Sequence, residues 1–236
     1  MDFEVVLENI EEALLAQQFG VKRVELCAGL DLGGLTPSQG AIETFTSTLN
    51  CETHVMIRPR AGGFIYDRHE IDLMQKDISL AAKAGCHGVV FGLVNDKRQI
   101  AVNEAAFLNG HAKSLGLETT FHRAIDFTED IFQSIEQVAE IGFTRILTSG
   151  GHNTVDLGLE SLQNIYQAYK GQIQLMAGGG IHFGNAKTLI ASGIDAIHFN
   201  VRKAKAVQSN PLMGTEYELD HAKIREITGI TNQPKP

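Results

Sequence analysis

Cysteine is scarce in this 236-residue chain. Cys27, Cys51 and Cys86 are an odd number, and no two stand in a C-x-x-C spacing. That excludes a disulfide framework and a tetrahedral zinc site, and it reads as reduced thiols in a reducing compartment. Positive charge is also short. Lys plus Arg total 20 against 28 Asp plus Glu, a formal net charge of −8, and no basic run offsets it. A nucleic-acid or anionic-membrane binder needs a basic field, so both classes are excluded. Long hydrophobic runs are missing too. The longest, Val89 to Val94, is broken by Gly92 and falls far below the roughly 20 residues of a membrane span. The N-terminus, Met1-Asp2-Phe3-Glu4, carries acid where a signal peptide needs base. A soluble, cytoplasmic protein is the expectation. Hydrophobic residues at 43% and charged residues at 20% supply a sizeable core and exclude disorder.

What is present is one alternation, repeated, with no Pro/Gly/Ser-rich linker in the first 200 residues. Short β-rich runs occur at Phe3–Leu7, Arg23–Leu26, His54–Ile57, Gly88–Phe91, Glu118–Phe121, Arg145–Thr148, Gln174–Ala177 and Ala196–Phe199. Amphipathic stretches lie between them at Ile10–Gln18, Ser38–Ser47, Ile71–Ala84, Glu104–Ser114, Ile131–Ile141, Leu157–Tyr169 and Asn185–Ser192. Ile71, Met74, Ile78 and Ala81 keep helical spacing. Gly20, Gly85, Gly116, Gly142 and Gly193 each stop a helix just before the next strand. Eight such units predict an α/β fold with a parallel sheet closed as a single (β/α)8 TIM-type barrel over residues 1–230. An open doubly wound sheet would call for G-x-G-x-x-G after the first strand, where Glu8-Asn9-Ile10 stands instead. The last unit is expected to be irregular or incomplete, with a loop at Ala204–Gly214, a final helix at Asp220–Ile227 and a tail at 231–236.

In such a barrel the chemistry sits at the C-terminal ends of the strands. Strand 2 ends in Glu25 and Cys27, strand 3 in Arg58 and Arg60, and strand 5 in His122 and Arg123 with Asp126 close behind. Strand 6 ends in Ser149 and Gly150, strand 7 in Gly178-Gly179-Gly180, and strand 8 carries His198. Polar groups at this density are costly unless paired or used. Each has a structural alternative: Glu25 as an ion pair with Arg58 or Arg123, Cys27 as a small buried residue, His122 and His198 as satisfied core histidines. Read functionally, His122 is the acid/base, with Glu25 or Asp126 as partner carboxylate. Arg58, Arg60 and Arg123 hold an anion by forked hydrogen bonds. Ser149, Gly150 and the Gly178–Gly180 run cradle phosphate, together with His198. No lysine falls at a strand end, which argues against Schiff-base chemistry. The absence of H-x-H, H-E-x-x-H and a carboxylate cluster argues against a metallohydrolase.

Taken in order, Glu25-Leu26-Cys27-Ala28-Gly29, Gly33-Gly34-Leu35-Thr36-Pro37-Ser38, Met56-Ile57-Arg58-Pro59-Arg60, Thr120-Phe121-His122-Arg123-Ala124-Ile125-Asp126, Leu147-Thr148-Ser149-Gly150 and Met176-Ala177-Gly178-Gly179-Gly180-Ile181 resemble the CutC copper homeostasis family over roughly residues 2–202. The resemblance implies a cytoplasmic (β/α)8 barrel, a homodimer or higher homo-oligomer, and copper binding, with Cys27 as the Cu(I) ligand. It implies no particular reaction. Two positions depart from the pattern. Val6 stands where many relatives have a cysteine on strand 1, and Phe199-Asn200 follow His198 where relatives carry small residues. Cu(I) favours two or three soft ligands. Copper binding and an enzyme acting on a small phosphorylated or carboxylate anion therefore remain the two leading expectations, ahead of a non-catalytic scaffold.

Overall fold

The computed structural model describes residues 1–207 and 214–230. Eight parallel strands close into a barrel in sequence order: β1 (Asp2–Leu7), β2 (Arg23–Leu26), β3 (Glu52–Met56), β4 (Gly88–Phe91), β5 (Glu118–Phe121), β6 (Arg145–Thr148), β7 (Gln174–Gly178) and β8 (Ala196–Asn200). The closing pair is β1 with β8, in the register Glu4 opposite His198. Each strand feeds a returning helix: α1 (Ile10–Gln18), α2 (Gln39–Thr48), α3 (Arg68–Lys83), α4 (Val102–Ser114), α5 (Ile131–Ile141), α6 (Val155–Tyr169), α7 (Phe183–Ser192) and α8 (His221–Gly229). The (β/α)8 expectation is borne out.

Local chemistry sets the boundaries. The five helix-ending glycines all adopt the left-handed region, with φ between 74° and 89°, which a side chain resists. The helix α3 begins at Arg68, three residues before the expected start, because Asp67 caps it in a reciprocal box with Glu70. A difference appears after β8. Two short antiparallel strands that the sequence did not suggest, β9 (Arg202–Ala204) and β10 (Tyr217–Leu219), pair on either side of the segment expected as a loop at Ala204–Gly214. Arg202 fastens the pair to the barrel through Glu8 and Asp31. The remainder of that loop, 208–213, and the tail, 231–236, lie outside the described residues.

Strand alternation divides the apolar residues into two populations. Val5, Leu7, Val24, Leu26, Val55, Ile57, Phe91, Phe121, Ile146 and Ile197 face the helices and join the main core. Each fully buried side chain of this kind contributes about 1.5–3 kcal/mol. Among the described residues, the apolar side chains of the barrel interior form two small islands, Cys27–Met56–Val90 and Leu147–Met176–Ala196. The rest of the interior carries buried polar residues, including Glu4, Arg23, Glu25, His54, Thr120, His122 and Arg145. A polar barrel interior is expensive, and its pairing shows where the structure compensates and where it does not.

Candidate active site at the barrel mouth

Register places Glu4 of β1 opposite both Arg23 and His198. Its carboxylate, wholly buried, accepts from Arg23 Nε at 2.5 Å through Oε2 and from His198 Nδ1 at 2.8 Å through Oε1. Burial alone would raise Glu4. The His198 hydrogen bond and the Arg23 guanidinium outweigh it and hold the carboxyl well below the usual range. The same neighbours act on His198: burial opposes its charge, but the Glu25 and Glu4 carboxylates together raise its affinity for a proton.

One step further up β2, Glu25 is 2% exposed. Its Oε1 accepts from the Cys27 thiol at 3.3 Å, and its Oε2 has no partner. Burial pushes Glu25 up to about 7, against the pull of His198. Cys27 is raised well above the ordinary thiol range, first by burial and then by the Glu25 carboxylate, so the sulfur stays protonated.

His122 follows β5. Gly92 makes its position possible, since a Cβ there would lie 2.6 Å from His122 Nδ1. That Nδ1 accepts from the Ala124 backbone N–H at 3.2 Å, which fixes the ring proton on Nε2. Nε2 is buried without a partner, and the ring packs 4.9 Å from Phe64. Burial, then the Arg58 charge, lowers His122 to about 3, so the imidazole is neutral at physiological pH.

Arg123 and Asp126 sit in the 3-10 turn that follows, Arg123–Phe127. Asp126 accepts from Arg123 Nε at 2.9 Å, from the backbone of Ser149 and Gly151, and from the Thr148 hydroxyl. It is therefore committed to Arg123 and the loop after β6, not to His122. Arg123 Nη2 donates to Ser149 Oγ at 2.7 Å and to the carbonyls of His152 and Asn153. None of these bonds uses Nη1, which lies against Gly179; a Cβ on Gly179, whose φ is +111°, would be 2.8 Å from it.

The remaining arginines divide. Arg58, 4% exposed, donates to the carbonyls of Leu32, Gly34 and Gly62. It lies over the Phe64 ring at 5.0 Å, and among the described residues it has no acidic partner. Arg60 turns outward to Glu70 and does not join the mouth. The ion pair anticipated between Glu25 and Arg58 or Arg123 does not form; Glu25 meets Cys27 and His198 instead. The glycines expected to cradle phosphate do not converge: Gly178 leaves room for Leu147 and the His198 ring, Gly179 lies against Arg123, Gly180 faces Thr154, and Gly150 packs against α6 at Gly158 and Leu162.

Glu25, His122, Arg123 and His198 share one cavity of about 190 Å3, with Val6, Met56, Phe64 and Leu147 among its apolar walls. A wider groove of about 670 Å3 continues over the rim past Arg58, Phe64 and Phe127. A separate cleft of about 290 Å3, beside Tyr66, Ile71 and Phe107, lies between the N-terminal parts of α3 and α4. It contains none of the unpartnered buried atoms just described.

Sequence reasoning missed Glu4, and with it a clustered set. Glu4, Glu25 and His198 each place a ligand-type atom within 4.8 Å of the others, so the carboxylate cluster thought absent exists. The available signal was the acid at an inward position of an otherwise apolar strand. A cation there would compete with Arg23 Nε and the His198 Nδ1 proton for the two Glu4 oxygens. The soft donors fit Cu(I) no better. Cys27 is a protonated thiol bonded to Glu25, Val6 packs where a second thiol would stand, and Met176 Sδ, at 3.8 Å, accepts from Arg23. Met56 alone shares the Cys27 cluster.

Comparison with known proteins fits this architecture. The CutC family model matches residues 1–203. A family protein CutC from Histophilus somni is 38% identical over 226 residues, covering 94% of this chain and 92% of its own. One from Bacteroides thetaiotaomicron is 41% identical over 204 residues, covering 86% of this chain and 81% of its own. Among solved structures, a candidate copper homeostasis protein CutC from Streptococcus agalactiae superposes with a TM-score of 0.78 at 29% identity, covering 84% of this chain and 98% of that one. The 3-hexulose-6-phosphate synthase of Salmonella typhimurium, at TM-score 0.64 and 15% identity over 98% of both chains, shares the barrel fold. With a family match across the barrel and relatives of this identity and coverage, the chain belongs to the CutC family.

Proposed function

We propose that this protein is a barrel enzyme that moves a proton on a small organic anion held in the mouth cavity. One observation carries the reading. Glu25 Oε2 and His122 Nε2 are buried polar atoms without partners, and their side chains line the same 190 Å3 cavity. Leaving such an atom unsatisfied costs about 1–3 kcal/mol, a cost that a bound polar ligand removes. Glu25, pushed up to about 7, is poised to take and return a proton near neutral pH. His122, neutral with its proton on Nε2, serves as hydrogen-bond donor in place of the acid/base role expected from sequence. Arg123 Nη1 and the uncompensated Arg58 charge make the surroundings favourable to an anion. The volume is below the roughly 300–1,000 Å3 of drug-sized sites, which suits a small metabolite.

Copper is the second reading, favoured by the family name and by Cys27 and Met56 packing together. The donor set does not fit Cu(I), which prefers several soft, deprotonated ligands. A thermal-shift screen of small carboxylates and phosphate esters separates the readings. At least one class is expected to raise Tm, and to raise it less in His122→Asn. Stabilisation by Cu(I) alone, lost in Cys27→Ala, would overturn the enzyme reading.

A further inference from the structure

We infer that the mouth is built for enolisation: its substrate is a small carbonyl compound bearing an anionic group, and the proton moved is the one on carbon next to the carbonyl. This inference rests on the enzyme reading above and narrows it to a substrate class.

The two unpartnered atoms are of opposite kind. Glu25 Oε2 is an acceptor, and His122 carries its proton on Nε2 because Nδ1 is occupied by the Ala124 N–H. An acceptor and a neutral donor lining one small cavity match the two ends of an enolising unit, the carbon acid and the carbonyl oxygen. A neutral imidazole stabilises an enolate oxygen by hydrogen bonding, and a glutamate base beside it is an established pairing for that chemistry. The apolar walls suit a C–H bond. Val6, Met56 and Leu147 line the cavity with Glu25, and a C–H group offers water-like surroundings nothing to bond. Competing chemistries lack their parts. No lysine lines the cavity for a Schiff base. The second carboxylate needed for glycoside hydrolysis is missing as well, because Glu4 is committed to Arg23 and His198. Arg123 Nη1 is placed to hold the anionic group.

The step balances without a co-reactant. Glu25 Oε2 takes the proton from carbon. The C–H electron pair becomes the C=C bond of the enolate, and the carbonyl π pair moves to oxygen, which accepts a hydrogen bond from His122 Nε2–H. Glu25 then returns the proton to the same carbon as the carbonyl re-forms.

The experiment incubates the full-length protein in D2O with pyruvate, hydroxypyruvate or dihydroxyacetone phosphate, and follows loss of the C–H signal by proton NMR. Binding of the same probes, and of the non-carbonyl analogues lactate and glycerol 3-phosphate, is followed by thermal shift. Deuterium is expected next to the carbonyl of at least one probe at least about 100-fold faster than without protein, with an ascending pH limb near 7. Glu25→Gln, verified as folded by circular dichroism, loses about 100-fold or more, and His122→Asn loses about 10²–10³-fold. Binding of carbonyl and non-carbonyl probes alike with no exchange overturns enolisation and leaves the anion site standing. No binding and no exchange, with Glu25→Gln indistinguishable from the wild type, overturns both.

Discussion

Replacing Glu25 by glutamine removes one titration and leaves the shape of the side chain. Burial raises Glu25 from 4.5 to about 7. A carboxyl raised in the fold binds its proton more tightly there than in the unfolded chain. Its contribution is complete below pH 4.5 and is lost as pH rises through about 7. The shift, 7 − 4.5, at about 1.4 kcal/mol per pKa unit, amounts to roughly 3 kcal/mol. Most of that falls between pH 5 and pH 8 by linkage. Glutamine cannot titrate, so the stability of Glu25→Gln relative to wild type should rise by roughly 2–3 kcal/mol between those pH values. The buried His54 and His122 are present in both proteins, and their contributions cancel to first order, while His198, whose proton affinity the Glu25 carboxylate raises, loses that support in the variant, a change of the same sign. Urea unfolding at pH 5, 6, 7 and 8, with slopes compared to verify a common unfolded state, measures the difference. Parallel stability curves, within about 0.5 kcal/mol across the range, would refute the claim that burial holds Glu25 near neutrality.

Further outcomes follow from the same contacts. Arg23→Met leaves Glu4 buried beside His198 alone and should cost about 3–5 kcal/mol, with Glu4→Gln in the same chain recovering much of the loss in urea unfolding. His54 and His122, both lowered to about 3 by burial, favour the fold above 6.5 and lose that contribution as pH falls toward 3. Acid unfolding should therefore begin below pH 6.5 and be less steep in His122→Asn. Gly179→Ala forces a side chain into the left-handed region against Arg123, and should lower stability by about 1–3 kcal/mol and weaken binding of the anionic probes. Cys27→Ala should leave Cu(I) uptake, titrated against a chromophoric chelator, at the wild-type background.

The fold was legible because its signals are local. Strands β2, β4, β5 and β6 and helices α1 and α5 match their expected limits, since β-rich runs and glycine stops act within a few residues. The β9–β10 hairpin was not legible. It is three residues a side and is tied down by Arg202 contacts distant in sequence. Strand-end reasoning brought Glu25, His122, Arg123 and His198 to one cavity. It could not separate Arg58 and Arg60, two positions apart, because what turns Arg60 outward is the Glu70 carboxylate of the α3 cap. Glu4 was hidden for a related reason: only the register of β1 against β2 and β8 shows that it stands between Arg23 and His198. The protonation of His122 depends on the Ala124 N–H, the Arg58 charge and depth of burial, none of which is a property of the residue type.

The central claim is that the mouth cavity pairs a neutral His122 donor with an acid/base Glu25. Histidine side-chain 15N–1H correlation spectra of the full-length protein between pH 5 and pH 8, assigned with His122→Asn, test it most directly. The account predicts a His122 signal that does not titrate in this range, carries its proton on Nε2, and shifts at Nε2 when the carbonyl probe that undergoes exchange is added. A His122 that titrates near 6.5, or whose proton resides on Nδ1, would contradict it.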